Sequence, residues 1–174
     1  MDLRYPIGKF QAPESFTQEQ LQSYIKTIEE APALYEAAVK ELSEEQLNTP
    51  YRPEGWTIRQ VIHHVPDSHM NAYIRFHWTL TEDHPTIKAY KEAKWAELPY
   101  LQEVPIELSL DLMKSIHARW SILLKSLSIE DFEKTYLHPD YNKVFALKTV
   151  VALYAWHCKH HLAHIESLKE RMGW

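Results

Sequence analysis

The sequence predicts an all-α fold, a four-helix bundle that carries one long structured loop. Three observations predict it. The 174 residues contain only three glycines, Gly8, Gly55 and Gly173, too few for the hairpin turns of a strand-rich fold or for a phosphate-cradling loop. Helix-start signals recur along the chain: TQEQ (Thr17 to Gln20), SEEQ (Ser43 to Gln46) and TIRQ (Thr57 to Gln60) fit the capping box, and SIED (Ser128 to Asp131) is its acidic variant. Apolar residues then repeat at spacings of three and four.

The first helix is expected from about Thr17 to Leu42, with an apolar face of Leu21, Tyr24, Ile25, Ile28, Leu34, Ala37, Ala38 and Leu42. Pro32 should kink or break it, because proline lacks the backbone N–H and clashes with the preceding turn. A short helix follows at Ser43 to Leu47, then the two-proline loop NTPYRPEG. The second main helix should run from Thr57 to about Glu82 on the stripe Ile58, Val61, Ile62, Val65, Tyr73, Phe76 and Leu80, bent at Pro66. His84 to Ile106 holds three prolines with Tyr90, Trp95 and Tyr100. It reads as a long structured loop, since its aromatic content argues against disorder. Ser109 is the expected N-cap of a third helix to about Leu127, with Leu112, Ile116, Trp120, Leu123 and Leu124 inward. YLHPDYNKVF suggests a small hairpin. The fourth main helix spans about Leu147 to Met172. Four such helices make a bundle in a single domain.

The totals exclude several functions. A net charge of −5 and a pI near 6.1 leave no basic footprint for nucleic acid. The single cysteine, Cys158, permits no internal disulfide, and a cytoplasmic location is the natural expectation. MDLRYPIGKF lacks the pattern of a signal peptide, and no apolar run approaches a membrane span.

Histidine is concentrated in two places. WHCKHHLAHI (Trp156 to Ile165) holds four, and VIHHVPDSHM (Val61 to Met70) three. Residues four apart share a helix face, so the last helix offers two ligand pairs, His157/His161 and His160/His164. The lines 150, 154, 157, 161 and 154, 158, 161, 165 turn the first pair inward and leave the second toward the flank. A third ligand is needed for a divalent ion. The second helix offers His63, His64 and His69. His64 begins a polar side continued by Ser68, Asn71 and Arg75, whereas His63 lies about 100° away. Asp67, three residues on from His64, is a candidate to orient a ligand imidazole. Solvated histidine runs and hydrogen-bonded core histidines are the plain alternatives, and no HExxH motif is present. Cys158 sits on the core line and reads as a buried structural thiol.

GWTIRQVIHHVPDSHMNAYIRF and LYAWHCKHHLAHI, with RYPIG, LTEDHPTIK, HARW and RMGW, resemble the YfiT proteins, a branch of the DinB-like superfamily, over essentially the whole chain. The resemblance implies a DinB/YfiT-like four-helix bundle, a homodimer, and one divalent metal per subunit, zinc or nickel, held by His64, His157 and His161. It makes His160 and His164 extra histidines of the branch. Pro66 departs from the small or apolar helix former expected there. Three ligands leave coordination positions open, as in catalytic sites. The expected activity is therefore metal-dependent hydrolysis of a small-molecule substrate by an activated water. A thiol S-transferase using a low-molecular-weight thiol such as bacillithiol is the second expectation, because thiols also deprotonate on metals. A non-catalytic, metal-binding stress protein is the third. Asp67, His160 and His164 are candidates for proton transfer. Arg75 and Arg119 are candidates for an anionic group on a substrate, and the 84–106 loop for a wall over the site.

Overall fold

In a computed structural model, which describes residues 2–174, four long helices form the expected bundle: α1 (Gln18–Val39), α3 (Ile58–Thr81), α5 (Ile106–Ser126) and α7 (Leu147–Met172). Short helices α2 (Glu44–Leu47), α4 (Glu92–Ala96) and α6 (Ile129–Glu133), a 3₁₀ turn at Pro99–Gln102, and the strands β1 (Thr135–His138) and β2 (Lys143–Ala146) fill the connections. α1 and α3 each pack against both α5 and α7, so α3 and α7 are neighbours in the ring.

Every start signal in the sequence becomes a cap. Thr17, Ser43, Thr57 and Ser128 each accept a hydrogen bond from the backbone three residues on, and the Gln or Asp there returns a bond to the cap's own N–H. These reciprocal bonds satisfy donors that a helix start leaves free. The third helix departs from expectation. It begins at Ile106 after Pro105, with no side-chain cap, and Ser109 lies buried within it. Its inward line is Met113, His117, Trp120 and Leu124, while Leu112 is 38% exposed. Trp120 and Leu124 face inward as expected, but Met113 and His117 take the places expected of Leu112 and Ile116, because His117 counts as polar in a periodicity reading.

Neither helix proline breaks its helix. Pro32 lies within α1 and Pro66 within α3. Pro32 cannot donate to the carbonyl four residues back, that of Ile28. His117 Nδ1 approaches that same oxygen at 2.5 Å. A side chain from α5 thus replaces the bond that proline removes from α1, and the helix continues.

β1 and β2 pair antiparallel, with Thr135 opposite Ala146 and His138 opposite Lys143. The 84–106 loop adds to the edge of this hairpin: Ile87 N–H donates to the Leu137 carbonyl at 3.0 Å, and Leu137 N–H to Pro85 at 2.9 Å. Its other end is held by the start of α3, where Arg59 donates to the Val104 carbonyl and Gln60 to that of Ala96. The expected structured loop is therefore ordered by backbone pairing at one end and by side chains of α3 at the other.

Candidate metal centre

α3 and α7 face one another along the bundle, and each presents histidines into the seam. His64, His157 and His161 each offer one ring nitrogen, and these atoms lie within 4.8 Å of one another. His64 Nε2 and His157 Nε2 are 3.3 Å apart. Two nitrogens about 2.0–2.1 Å from one tetrahedral ion would be separated by roughly 3.3–3.4 Å, so this spacing fits a shared ion. His161 lies beside both, with ring centroids 4.8 Å from His64 and 4.4 Å from His157. Its Nδ1 is buried without a partner.

Electrostatics fit the same use. Burial, then the neighbouring His160, lowers His64 to about 4. Burial also holds His157 and His161 well below the ordinary range, with other imidazoles reinforcing the shift. Neutral imidazole is the form that offers a lone pair to a metal. No carboxylate hydrogen-bonds to these three rings among the described residues. The donor set is three neutral nitrogens, suited to zinc or nickel rather than to an oxygen-seeking ion.

His69, passed over in the sequence reading, completes the arrangement. Its Nε2 lies 3.0 Å from His157 Nδ1. If His157 carries its proton on Nδ1 and donates it to His69, its Nε2 is left bare toward His64. Such a partner is the usual means of fixing the tautomer of a ligand histidine. Behind it, the His69 ring stacks on His117, 4.7 Å between centroids and 3° between planes. The signal for both lay in the apolar stripes: His69 falls on the line 65, 69, 72, 76 and His117 on 113, 117, 120, 124, all of them buried.

The other candidates separate. His63 turns away and bonds Ser109 Oγ at 2.8 Å. Asp67 is half-buried and burial raises its carboxyl to about 6. It bonds no imidazole among the described residues and lies outside the cavity, so it does not orient His64. Cys158 is buried, its thiol pushed up by burial, and its backbone carbonyl accepts from Tyr35 at 2.8 Å. His160 and His164 are buried rather than set on an open flank. His164 stacks on Tyr51 at 3.9 Å, and His160 on Trp156 at 4.3 Å with Tyr5 beyond. Their Nε2 atoms are 3.1 Å apart.

Tyr51 and Trp56 reach the site from the loop before α3, with Trp56 4.6 Å from His64. The loop closes tightly. Gly55 N–H bonds the Arg52 carbonyl, and a Cβ at Gly55 would stand 2.6 Å from Arg52 Cγ. These rings wall one end of a cavity of about 780 Å³ that contains all three candidate ligands with His160 and His164. The same cavity is lined by Ser68, Arg75, Tyr90, Tyr136, His138 and Tyr154. Arg75 thus lies in the cavity. Arg119 does not; it is exposed on α5 against the Tyr73 ring. Of the loop aromatics only Tyr90 lines the cavity, while Trp95 and Tyr100 are 36% and 57% exposed.

Comparison with known proteins places this geometry in context. Residues 27–165 match the DinB superfamily. A protein of Bacillus cereus (strain AH820), provisionally named a metal-dependent hydrolase, is 53% identical over 173 residues, 99% of each chain. A Bacillus anthracis (strain A0248) protein with the same provisional name matches equally well. Among solved structures, YfiT from Bacillus subtilis, described as a probable metal-dependent hydrolase with an unusual four-helix bundle topology, superposes with a TM-score of 0.97 at 44% identity. That match covers 100% of this chain and 99% of the other. A mycothiol-dependent maleylpyruvate isomerase shares the fold at a TM-score of 0.61 and 17% identity, over 80% of this chain and 60% of its own.

Proposed function

This chain belongs to the DinB superfamily, and from that membership we propose that it is a metal-dependent hydrolase of small molecules, with His64, His157 and His161 as the metal ligands. The observation that carries the reading is the 3.3 Å approach of His64 Nε2 to His157 Nε2, two neutral imidazoles from different helices at ligand spacing. A divalent ion bound there, zinc or nickel, supplies Lewis acidity that lowers the proton affinity of a water or thiol beside it.

The chain's own residues do the rest. His69 holds His157 in the tautomer that presents Nε2. Trp56 and Tyr51 wall the site and reduce its access to bulk water. His160 and His164 line the cavity and share a hydrogen bond, so one nitrogen of the pair is free of a proton at neutral pH. We place the proton acceptor of the reaction at this pair rather than at Asp67, which lies outside the cavity.

A second reading, transfer of a low-molecular-weight thiol to an electrophile, is favoured by one feature. The only cysteine is buried with its thiol pushed up, so a thiol nucleophile would have to enter from outside, and the cavity is long enough to admit one. The maleylpyruvate isomerase of the same fold is, by its name, mycothiol-dependent. The test compares metal-loaded and metal-stripped protein on an aryl ester and on a haloalkane electrophile, with and without bacillithiol. Metal-dependent, thiol-independent ester cleavage is the expected outcome. Product that requires the thiol overturns hydrolysis in favour of S-transfer, and equal rates without metal overturn both.

A further inference from the structure

The cavity holds a charge with nothing to balance it. Arg75 is only 6% exposed. Its Nη2 donates to the Lys88 carbonyl at 3.2 Å, its Nε is buried without a partner, and its guanidinium lies 5.9 Å from the Tyr90 ring centre. No carboxylate comes within ion-pair distance of it among the described residues. Arginine does not shed its proton, and buried charges are ordinarily paired. The acids nearest the cavity rim do not serve: Asp140 is engaged by Lys91 at 2.7 Å, and Glu92 is exposed. The groups around Arg75 are Ser68, Tyr90, Tyr136, His138 and Tyr154, and burial holds the three phenols protonated and His138 lowered. One permanent cation therefore stands among neutral hydrogen-bonding groups.

We propose that Arg75 is the carboxylate-binding residue of this cavity, and that the substrate is a small molecule bearing a carboxylate. The free Nε–H and the remaining Nη2–H form the side-on fork that matches the two oxygens of a carboxylate. A single guanidinium among neutral neighbours balances a single negative charge, which selects a carboxylate over a phosphate dianion. Arg75 follows His64 by eleven residues on α3, three turns and about 20° of rotation, so the two share a face about 16 Å apart along the axis. Helix side chains lean toward the N-terminus, so the Arg75 side chain reaches back along that face, and a carboxylate bound to it lies in the same cavity as the three histidines. The assignment of the histidines as the reacting centre rests on the proposed function; the carboxylate site itself does not.

The test is calorimetric titration of the metal-loaded protein with 4-phenylbutyrate, its amide, and phenyl phosphate. The acid is expected to bind at least ~10-fold more tightly than the amide, and Arg75→Gln to remove that preference. Arg75→Lys, which keeps the charge without the fork, should retain part of it and guards against a folding defect in the first variant. The metal-stripped wild-type protein should bind 4-phenylbutyrate within about twofold of the metal-loaded protein, which separates this site from carboxylate ligation to the metal. Equal binding of acid and amide, unchanged acid binding in Arg75→Gln, loss of acid binding on removing the metal, or tighter binding of phenyl phosphate would each overturn the proposal. The acid–amide and Arg75→Gln comparisons do not depend on whether the three histidines hold a metal.

Discussion

His157 uses both of its ring nitrogens. Nε2 faces His64 and Nδ1 faces His69, so its tautomer decides whether a lone pair is offered to a metal. Two classes of substitution should differ accordingly. His64→Ala, His157→Ala and His161→Ala each remove a proposed ligand and should abolish tight metal binding, whereas His63→Ala removes only a bond to Ser109 and should leave metal content unchanged. His69→Leu keeps all three ligands yet leaves His157 Nδ1 without its partner, and should weaken binding about 10–100-fold. Elemental analysis reads the first set, and competition with a chromophoric chelator reads the second. A metal-replete His157→Ala protein would refute the ligand set, and an unweakened His69→Leu the tautomer argument. The pairing of His157 with His161 was legible in the sequence because it depends only on helical phase. His69 was not, because one helix cannot show which side chains of another its face will meet.

At the scale of elements, a proline in α1 and a histidine in α5 form a unit. Pro32 leaves the Ile28 carbonyl without its helical donor, and His117 takes that place. Replacing His117 with leucine would strand a buried carbonyl at a cost of about 1–3 kcal/mol. Pro32→Ala restores the backbone donor, so the same His117→Leu change should cost much less in that background. Urea denaturation of the four proteins in a double-mutant cycle measures the coupling, and strictly additive effects would show that the two residues act separately. The sequence marks the proline as a kink and carries the histidine only within the HARW motif. Their relation needed the packing of α1 on α5. The same limit explains α5 itself. Its start at Ile106 lacks a side-chain cap, so a reading built on caps moves to Ser109 and places Leu112 and Ile116 inward where Met113 and His117 are buried.

For the whole molecule, the concentration of buried histidines has a pH consequence. Burial holds His64 and His117 near 4 and His164 near 3, against an ordinary value of 6.5. The unfolded chain therefore takes up protons first as pH falls below about 6.5. Stability from these groups is complete above that pH and is lost progressively toward pH 4, at up to about 1.4 kcal/mol per pH unit per group. Asp67, raised to about 6 from 3.8, binds its proton in the fold and opposes the trend with one group against several. The metal-free protein should thus melt markedly lower at pH 4.5 than at pH 7.5, and a melting temperature independent of pH over that range would contradict the neutral, buried state of these rings. The sequence by itself determined the helices, since caps and apolar periodicity are local properties of the chain. It also determined the inward pair on α7, and family resemblance supplied His64 on α3 as the proposed third ligand. Only the tertiary structure decided what surrounds that triad: His69 behind His157, aromatic rings from the 51–56 loop over His64 and His164, and an unpaired Arg75 in the same cavity. Those relations join residues distant in sequence, and they exist only where helices and loops pack against one another.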